Sequence, residues 1–262
     1  MKIQHRISFN SATELVKKIK STGVVLAEGP IISTLEVDES DGRWPDIEYI
    51  IKGCQVVDLV HTKFTAQELD KSKWLCLNSD WHCGYPMPDD DLGYLELTYN
   101  LSKYDDMSGM GYIQKAPFRM KSEPLWKKNH FLQLHWVYDV FFVLPEVWES
   151  VFKPLSIDCI PVLLHGSDQK LKTVVQLKAQ GELPVPIDLD DYPKKGDKYL
   201  PVTKGFFPSI SNTDVLDGHY LLSKEYFGSG ASASKAVIVS SVFYSAVRSN
   251  KLKGVNFTPI MK

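Results

Sequence analysis

Cysteine and histidine, the residue types that bind zinc, fall close together at one place in the sequence. Cys76, His82 and Cys83 lie within eight residues, and Cys54 and His61 precede them. Structural zinc sites present paired ligands two to four residues apart, because a tight turn then brings both to one tetrahedral ion. No such cysteine pair occurs here. We therefore expect no metal and no cofactor; the only metal ligands the sequence offers are Cys76, His82 and Cys83.

Motifs for nucleophilic or phosphate chemistry are also missing from the sequence. No Gly-x-Ser-x-Gly elbow occurs, and the seven histidines form no His-Glu-x-x-His arrangement. The Gly/Ser-rich stretch 228–234 lacks the Lys-Ser/Thr of a phosphate-binding loop and the third glycine of a dinucleotide fingerprint. The sequence thus nominates no catalytic residue, and we expect a protein that is not an enzyme.

Carboxylates gather in three short clusters. They are Glu36, Asp38, Glu39 and Asp41; Asp89, Asp90 and Asp91; and Asp188, Asp190 and Asp191. Local negative fields of this kind steer a basic partner and add specificity more than affinity. Aromatic rings beside charges are common anchors of protein interfaces. We therefore predict that the first two clusters, together with Trp44, Trp81 and Tyr85, contact a protein partner.

Composition narrows the class of partner and the compartment. The 30 Lys and Arg against 32 Asp and Glu create no global positive field, so we expect no nucleic acid. No apolar run approaches the 18 residues of a membrane span, and no apolar stretch follows the first residues. Four cysteines in 262 residues do not form a disulfide framework. These observations predict a cytoplasmic protein with free thiols and no membrane partner.

Short helices and strands are predicted for the first quarter of the chain. A helix is expected over residues 11–22, with Ser11 as the N-cap, Glu14 completing a capping box and Gly23 ending the helix. Residues 23–46 predict a strand, an exposed turn and a second strand.

Further along the chain, residues 54–60 predict a strand and Thr65 to Leu69 a short capped helix. The Pro and Gly density from residue 74 to about 125 predicts strands joined by long loops. The aromatic segment 129–145 predicts buried sheet or helix, and the proline-rich stretch 181–198 predicts a loop.

The second half of the chain contains an internal repeat, seen when residues 141–163 are aligned with residues 237–260. The matched pairs are Val143 and Val239, Trp148 and Tyr244, Val151 and Val247, Ile157 and Val255, and Pro161 and Pro259. Self-similarity of this kind indicates a duplicated supersecondary unit. We predict an α+β fold with mixed sheets and short helices, whose second half is built on two related β-α-β units. The regions 1–120 and 121–262 form two domains with a soft boundary, or one compact domain.

The end of the repeat resembles a known family. Residues 252–260, Leu-Lys-Gly-Val-Asn-Phe-Thr-Pro-Ile, are similar to the C-terminal signature of bacterial polymorphic-toxin immunity proteins of the double Cys-x-x-Cys-Gly type. Lys198-Tyr199, Gly205-Phe206-Phe207-Pro208 and Glu225-Tyr226-Phe227-Gly228 extend the resemblance over roughly residues 130–262. Where the family has its two metal-binding knuckles, this chain has Cys83-Gly84 and Lys194-Lys195-Gly196, which implies a relative without zinc.

This resemblance implies a cytoplasmic immunity protein that binds and blocks a cognate toxin or effector domain by occlusion, in competition between bacteria. It carries over no catalytic residue. Two other functions stay open at this point. One is a small hydrolase or transferase that uses Cys76, His82 and Cys83; the other is a non-catalytic scaffold subunit. The oligomeric state is left open as well.

Overall fold

Short helices accompany mixed and antiparallel sheets throughout the chain, which is the predicted α+β class. The computed structural model describes residues 1–261 and divides into two compact units. The N-terminal unit contains residues 1–68 and 202–205, and the C-terminal unit contains residues 69–201 and the chain from residue 206 onward. The expected boundary near residue 120 lies inside the C-terminal unit. No helix among residues 1–261 is both long enough and apolar enough to cross a membrane.

The N-terminal unit is an antiparallel sheet covered by helices. In chain order its elements are β1 (Lys2–Asn10), α1 (Leu15–Ser21), β2 (Ala27–Glu28), β3 (Ile32–Asp38), α2 (Trp44–Ile51), β4 (Val57–Lys63) and α3 (Ala66–Asp70), the last of which continues into the C-terminal unit. The strand order is β2-β3-β1-β4. Alternate residues of β1 and β3 face the core, where Ile7 and Leu35 pack with Ile19 of α1 and Ile47 of α2.

Two predictions for this unit need correction. Helix α1 begins at Leu15, because the Ser11 hydroxyl does not cap it and instead donates to the Gly29 carbonyl at 2.8 Å. The second predicted strand is helix α2. Pro45 stands in its first turn, where a missing N–H costs nothing, and Trp44 and Ile47 bury the same helix face.

Two predictions near the end of the unit are confirmed. The strand expected over 54–60 forms as β4, three residues later in the chain. The short capped helix forms as α3: the Thr65 hydroxyl accepts from the Glu68 N–H at 3.2 Å, and the Glu68 carboxylate accepts from the Thr65 N–H at 2.8 Å.

The C-terminal unit contains three sheets among its described residues. Its strands are β5 (Trp74–Ser79), β6 (Tyr99–Asn100), β7 (Ile113–Gln114), β8 (Arg119–Met120), β9 (Phe131–Leu132), β10 (Phe142–Val143), β11 (Cys159–Leu164), β12 (Lys170–Leu177), β13 (Lys194–Lys195), β14 (Lys198–Tyr199), β15 (Tyr220–Ser229), β16 (Ser232–Ser240) and β17 (Val255–Pro259). The strand orders are β8-β11-β12-β10-β9, β13-β14-β15-β16-β5-β17 and β6-β7. Short strands and long loops over 74–125 are as predicted. Within 129–145, buried sheet is confirmed only for β9 and β10, and residues 133–140 between them form a loop with exposed side chains.

Helices in this unit are short. They are a 3₁₀ turn at Asp90–Leu92, α4 (Tyr94–Thr98), α5 (Pro145–Val147), which continues as a π turn (Trp148–Phe152) and a 3₁₀ turn (Lys153–Leu155), a 3₁₀ turn at Thr213–Val215, and α6 (Ser241–Ser249). The π turn and 3₁₀ turn follow α5 where Pro154 interrupts the sequence. Helix α6 is regular because the Ser240 hydroxyl caps it, accepting from the Phe243 N–H at 3.2 Å.

The internal repeat corresponds to two split β-α-β units. Strands β10 and β11 both run antiparallel to β12, which lies between them, so they are parallel to each other. Strands β16 and β17 are related in the same way through β5. Val143 and Val239 are buried in equivalent strands, and Val151 and Val247 are buried in the equivalent helical segments. The prediction of two related β-α-β units is confirmed.

The loop before β17 in the second unit ends in a glycine that the backbone requires. Gly254 has φ +103°, and a Cβ atom there would lie 2.4 Å from the Phe131 carbonyl oxygen. The Phe131 N–H donates to the Lys253 carbonyl at 3.0 Å, so the two segments must approach closely. The glycine of the C-terminal signature therefore brings the loop before β17 against β9.

The two split units share one core through their helices. The rings of Phe152 and Phe243 stack with centroids 4.9 Å apart, and Phe131 and Tyr220 pack around them. All four side chains are buried. Because each unit covers the apolar face of the other, this ring cluster holds the duplicated region together.

Replacing Phe243 with Ala should lower the free energy of unfolding by about 3 to 5 kcal/mol, because it empties a ring-sized volume between the two units. Val242, the neighbouring residue of α6, is largely exposed, so Val242→Ala is the matched control and should change stability by less than about 1 kcal/mol. Urea denaturation followed by circular dichroism measures both. Equal losses in the two variants would contradict the shared core.

Candidate binding surface

An exposed group of aromatic rings stands on the C-terminal unit, and we call it the aromatic surface. It consists of Tyr85, His135, Trp136 and Tyr138, with His82 at its edge. Trp136 and Tyr138 leave 41% and 44% of their surface exposed. The ring of Tyr85 contacts both His135, at 4.8 Å between centroids, and Trp136, at 4.6 Å. Exposed rings gathered in this way are typical of protein interfaces.

The loop that carries these rings, residues 133–140, alternates between core and solvent. Leu134 and Val137 are buried in the core, while Trp136 and Tyr138 face outward. Trp136 has φ +70°, a left-handed conformation that is costly for a bulky residue. The surrounding structure therefore has to impose this conformation on the loop.

Hydrogen bonds on both sides of Trp136 fix the loop. The Gln133 N–H donates to the Trp81 carbonyl and the His135 N–H to the Gly84 carbonyl, each at 3.0 Å. The buried Gln133 amide also donates to the Tyr138 carbonyl at 2.9 Å. Because the loop is held before anything binds, the Trp136 ring loses little freedom on meeting a partner.

An acidic turn lies just before Tyr94, whose ring centroid is 6.1 Å from that of Trp136. Asp90 and Asp91 are exposed and Asp89 is half-buried, and none of the three has an ion-pair partner among residues 1–261. The turn is fixed by the Tyr94 N–H, which donates to the Pro88 carbonyl at 2.8 Å. No direct ion pair among the described residues therefore reduces the negative field of this turn.

A groove of about 410 Å³ lies between the aromatic surface and the β15–β16 hairpin. Its lining includes Leu92, Tyr94, Trp136 and Tyr138 together with residues 231–233 of the hairpin. The hairpin side is fixed by the buried Lys198 ammonium, which donates to the carbonyls of Ser108, Gly230 and Ser232. The groove thus has apolar and aromatic walls on a supported backbone, and the acidic turn immediately precedes Leu92 of its lining.

The other acidic cluster belongs to the N-terminal unit, where much of its charge is already paired. Glu39 accepts from His5 at 2.9 Å and from Lys204 at 2.5 Å. Burial raises the pKa of Glu39, but these two hydrogen bonds outweigh burial and lower it. Hydrogen bonds from Arg43 lower the pKa of Asp41.

Of the remaining predicted residues in that unit, Glu36 and Asp38 stay accessible to solvent. Trp44 does not offer a ring to a partner, because only 8% of its surface is exposed and it stacks on the imidazole of His5 at 3.9 Å. The predicted contact residues therefore divide between the two units.

In the C-terminal unit, the predicted residues Tyr85 and Asp89–Asp91 lie at the aromatic surface or beside the groove. Trp81 is half-buried, packs against the core that contains Leu132 and Leu134, and has the Lys127 ammonium 4.5 Å from the centre of its ring. The Trp81 ring therefore packs against the core beneath the 133–140 loop more than it faces solvent.

The cysteine and histidine residues do not form a metal-binding group. Among residues 1–261, no three His, Cys, Asp or Glu side chains are placed to hold one ion. Cys76 lies in the buried strand β5, and burial raises the pKa of its thiol to about 12, so a reactive thiolate is disfavoured at this position. Burial and the nearby His135 lower the pKa of His82.

Trp136 and Tyr138 are not among the predicted contact residues, because they fall in the aromatic segment 129–145, for which the sequence predicts burial. The signal that could have found them is the presence of His135 and Asp139 within an aromatic run. Two polar residues four positions apart break the continuous apolar pattern of a buried strand and indicate a loop instead.

Comparison of the chain with protein-family models, with curated proteins and with solved structures finds no match.

Proposed function

We propose that this chain is a cytoplasmic immunity protein, which binds a cognate toxin or effector domain and blocks it by occlusion. The observation that carries the proposal is the aromatic surface, where Trp136 is held outward in a left-handed conformation beside unpaired carboxylates. A fixed aromatic anchor next to uncompensated charge is an arrangement suited to tight and selective protein binding. The choice of a toxin as partner rests on the resemblance of residues 252–260 to the immunity-protein signature.

The partner should present a basic surface. Asp90 and Asp91 are exposed and immediately precede Leu92, which lines the groove, so they would attract lysine and arginine side chains and align an approaching partner. Many toxins that act in the cytoplasm cleave nucleic acid through basic clefts, and a cleft of that kind would complement this surface in both charge and shape.

Among residues 1–261, Cys76, His82 and Cys83 do not form a group that could hold a metal ion, so these residues give no support to a metal-dependent hydrolase or transferase. A scaffold subunit differs from an immunity protein in a measurable way, because it would associate with itself or a larger complex and would not rescue a poisoned host.

Co-expression with the protein encoded immediately upstream tests the proposal. We expect a one-to-one complex on size-exclusion chromatography, a dissociation constant of about 1 nM or tighter by calorimetry, and restored growth of a host that expresses the toxin. A protein that neither binds its neighbour nor rescues growth would refute the immunity function.

Trp136→Ala should weaken this complex about 30-fold or more, because loss of a central aromatic anchor costs about 2 kcal/mol or more. Leu125→Ala is the matched control: Leu125 is a largely exposed apolar residue of the same unit and lies outside the aromatic surface. Calorimetry on both variants, with circular dichroism to verify folding, measures the effect. Similar affinities for the two variants would remove the aromatic surface from the interface.

Neutralising the acidic turn should act on the rate of association. Asp89→Asn, Asp90→Asn and Asp91→Asn together should slow association about tenfold at low salt and flatten its salt dependence, because steering by long-range charge is lost. The same change at Asp188, Asp190 and Asp191 alters net charge equally and should leave the rate near that of the wild type. Stopped-flow measurements over a salt series separate the two triple variants, and indistinguishable rates would exclude the acidic turn.

A further inference from the structure

A buried carboxylate lines two adjoining cavities in the C-terminal unit. Asp139 is only 6% exposed and forms part of the wall of both. The cavities measure about 340 and 400 Å³ and share Val140 and Leu222 as apolar lining. Lys103 and Ile113 lie at the solvent side of the smaller cavity and are exposed, so a ligand can enter there.

The Asp139 carboxylate makes no direct ion pair with the cation nearest to it. One of its oxygens accepts from the Tyr112 hydroxyl at 2.8 Å and from the Lys235 backbone N–H at 3.4 Å, and both of these donors are neutral. The Lys235 ammonium lines the smaller cavity, pairs with Glu182 and lies 5.3 Å from the centre of the Tyr226 ring. Its charge lowers the pKa of Asp139, but by less than burial raises it. Burial raises the pKa of Asp139, and the hydrogen bond from Tyr112 offsets only part of that cost. Burying an ionised carboxylate without a directly paired counter-ion costs folding free energy, and a bound cation would offset that cost.

Aromatic rings stand next to this carboxylate in the smaller cavity. Tyr99, Tyr112 and Tyr226 line it, with centroids 4.7 Å apart for the first pair and 6.3 Å apart for the second. Ring faces attract ammonium and guanidinium groups, and a carboxylate adds a charge-assisted hydrogen bond. Glu182 lies in the same lining and is exposed, which places a second carboxylate near the entrance.

We propose that this cavity binds an alkylammonium or alkylguanidinium group, with the cationic head at Asp139 and the aliphatic chain between the tyrosine rings and Leu222. The group comes either from a free small amine or from a lysine or arginine side chain of a protein. This ligand does not depend on the function proposed above, since a free amine would fill the same cavity. No covalent step is involved.

Calorimetric titration of the full-length protein with two probes tests the proposal. Agmatine represents a free amine, and an acetylated, amidated Ala-Arg-Ala peptide represents a protein side chain; the same peptide with citrulline in place of arginine is the neutral control. We expect binding of at least one cationic probe and none of the citrulline peptide. Agmatine alone would identify a small-molecule site, and the peptide alone would identify a site for a partner side chain. Failure of both cationic probes would overturn the proposal.

Variants assign the binding to this cavity. Asp139→Asn should weaken the cationic probe at least about tenfold, which corresponds to about 1.4 kcal/mol. Tyr226→Leu, at a half-buried position, should weaken it about fivefold and serves as a second test. Asp191→Asn, at an exposed aspartate of the same unit, should have no effect. Unchanged affinity in both Asp139→Asn and Tyr226→Leu would place the probe elsewhere and refute the assignment.

The stability of the Asp139→Asn variant gives an independent test of the proposal, because the direction of its pH dependence can be predicted. Because its pKa is raised in the folded state, Asp139 holds its proton to higher pH there than in the unfolded chain, whose value is about 4. The free energy of unfolding of the wild type therefore falls as the pH rises through this window. The titratable groups around it are Lys235, which is paired with Glu182, and four tyrosines whose pKa values burial raises above the same window: Tyr94, Tyr99, Tyr112 and Tyr220.

Asp139→Asn removes the ionisation but keeps an oxygen that accepts from Tyr112. The variant should be more stable than the wild type at pH 7.5, and this advantage should shrink as the pH approaches 4. Urea denaturation across this pH range measures the difference. A variant less stable than the wild type at pH 7.5 would show that the carboxylate is compensated within the fold and needs no cationic ligand.

Discussion

The hydrogen bonds that strand β5 makes along both of its edges organise the C-terminal unit. This strand pairs with β16 on one side and with β17 on the other, and Leu75, Cys76 and Leu77 are buried. Without β5, the parallel strands of the second β-α-β unit would have no partner between them. The second β-α-β unit therefore completes its sheet only with residues that come long before it in the chain, and such non-local pairing makes folding slow. It also explains why residues 69–120 belong to this unit.

Two costs of folding are concentrated in one short loop that this core supports. Residues 133–140 contain both the left-handed Trp136 and the buried carboxylate of Asp139. The left-handed backbone of Trp136 and the burial of the Asp139 carboxylate each cost free energy on folding. They persist because Leu134 and Val137 anchor the loop in the core and because Gln133 fixes its backbone. Departures from local preference that the rest of the structure supports are characteristic of functional sites. The same loop presents rings to solvent on one face and a carboxylate to a cavity on the other.

The parts of the fold that the sequence could predict are those in which matched apolar positions recur. The repeat was visible because Val143 and Val239, and Val151 and Val247, are buried in the same way in two copies. The sequence predicts a strand in place of helix α2 because Pro45 and the turn residues before it are more typical of a strand that follows a turn. The three-residue spacing of the apolar Trp44 and Ile47 is the helical signal in this segment. The position of β5 between β16 and β17 could not be predicted, since pairing between distant segments leaves no local pattern.

The candidate site shows a similar limit for charge and for aromatic rings. Glu39 and Asp41 resemble Asp90 and Asp91 in the sequence, yet Lys204 pairs with Glu39 and Arg43 pairs with Asp41, whereas Asp90 and Asp91 have no ion-pair partner among residues 1–261. A carboxylate already paired with a cation contributes little field at a distance, because the two charges cancel beyond a few ångströms. The number of acidic residues in the N-terminal cluster therefore overstates the negative field that this cluster produces at a distance. Aromatic residues are ambiguous in the same way, since a ring fits a core or an interface equally well. Only the alternation of the 133–140 loop places Trp136 at the surface and Asp139 in the interior.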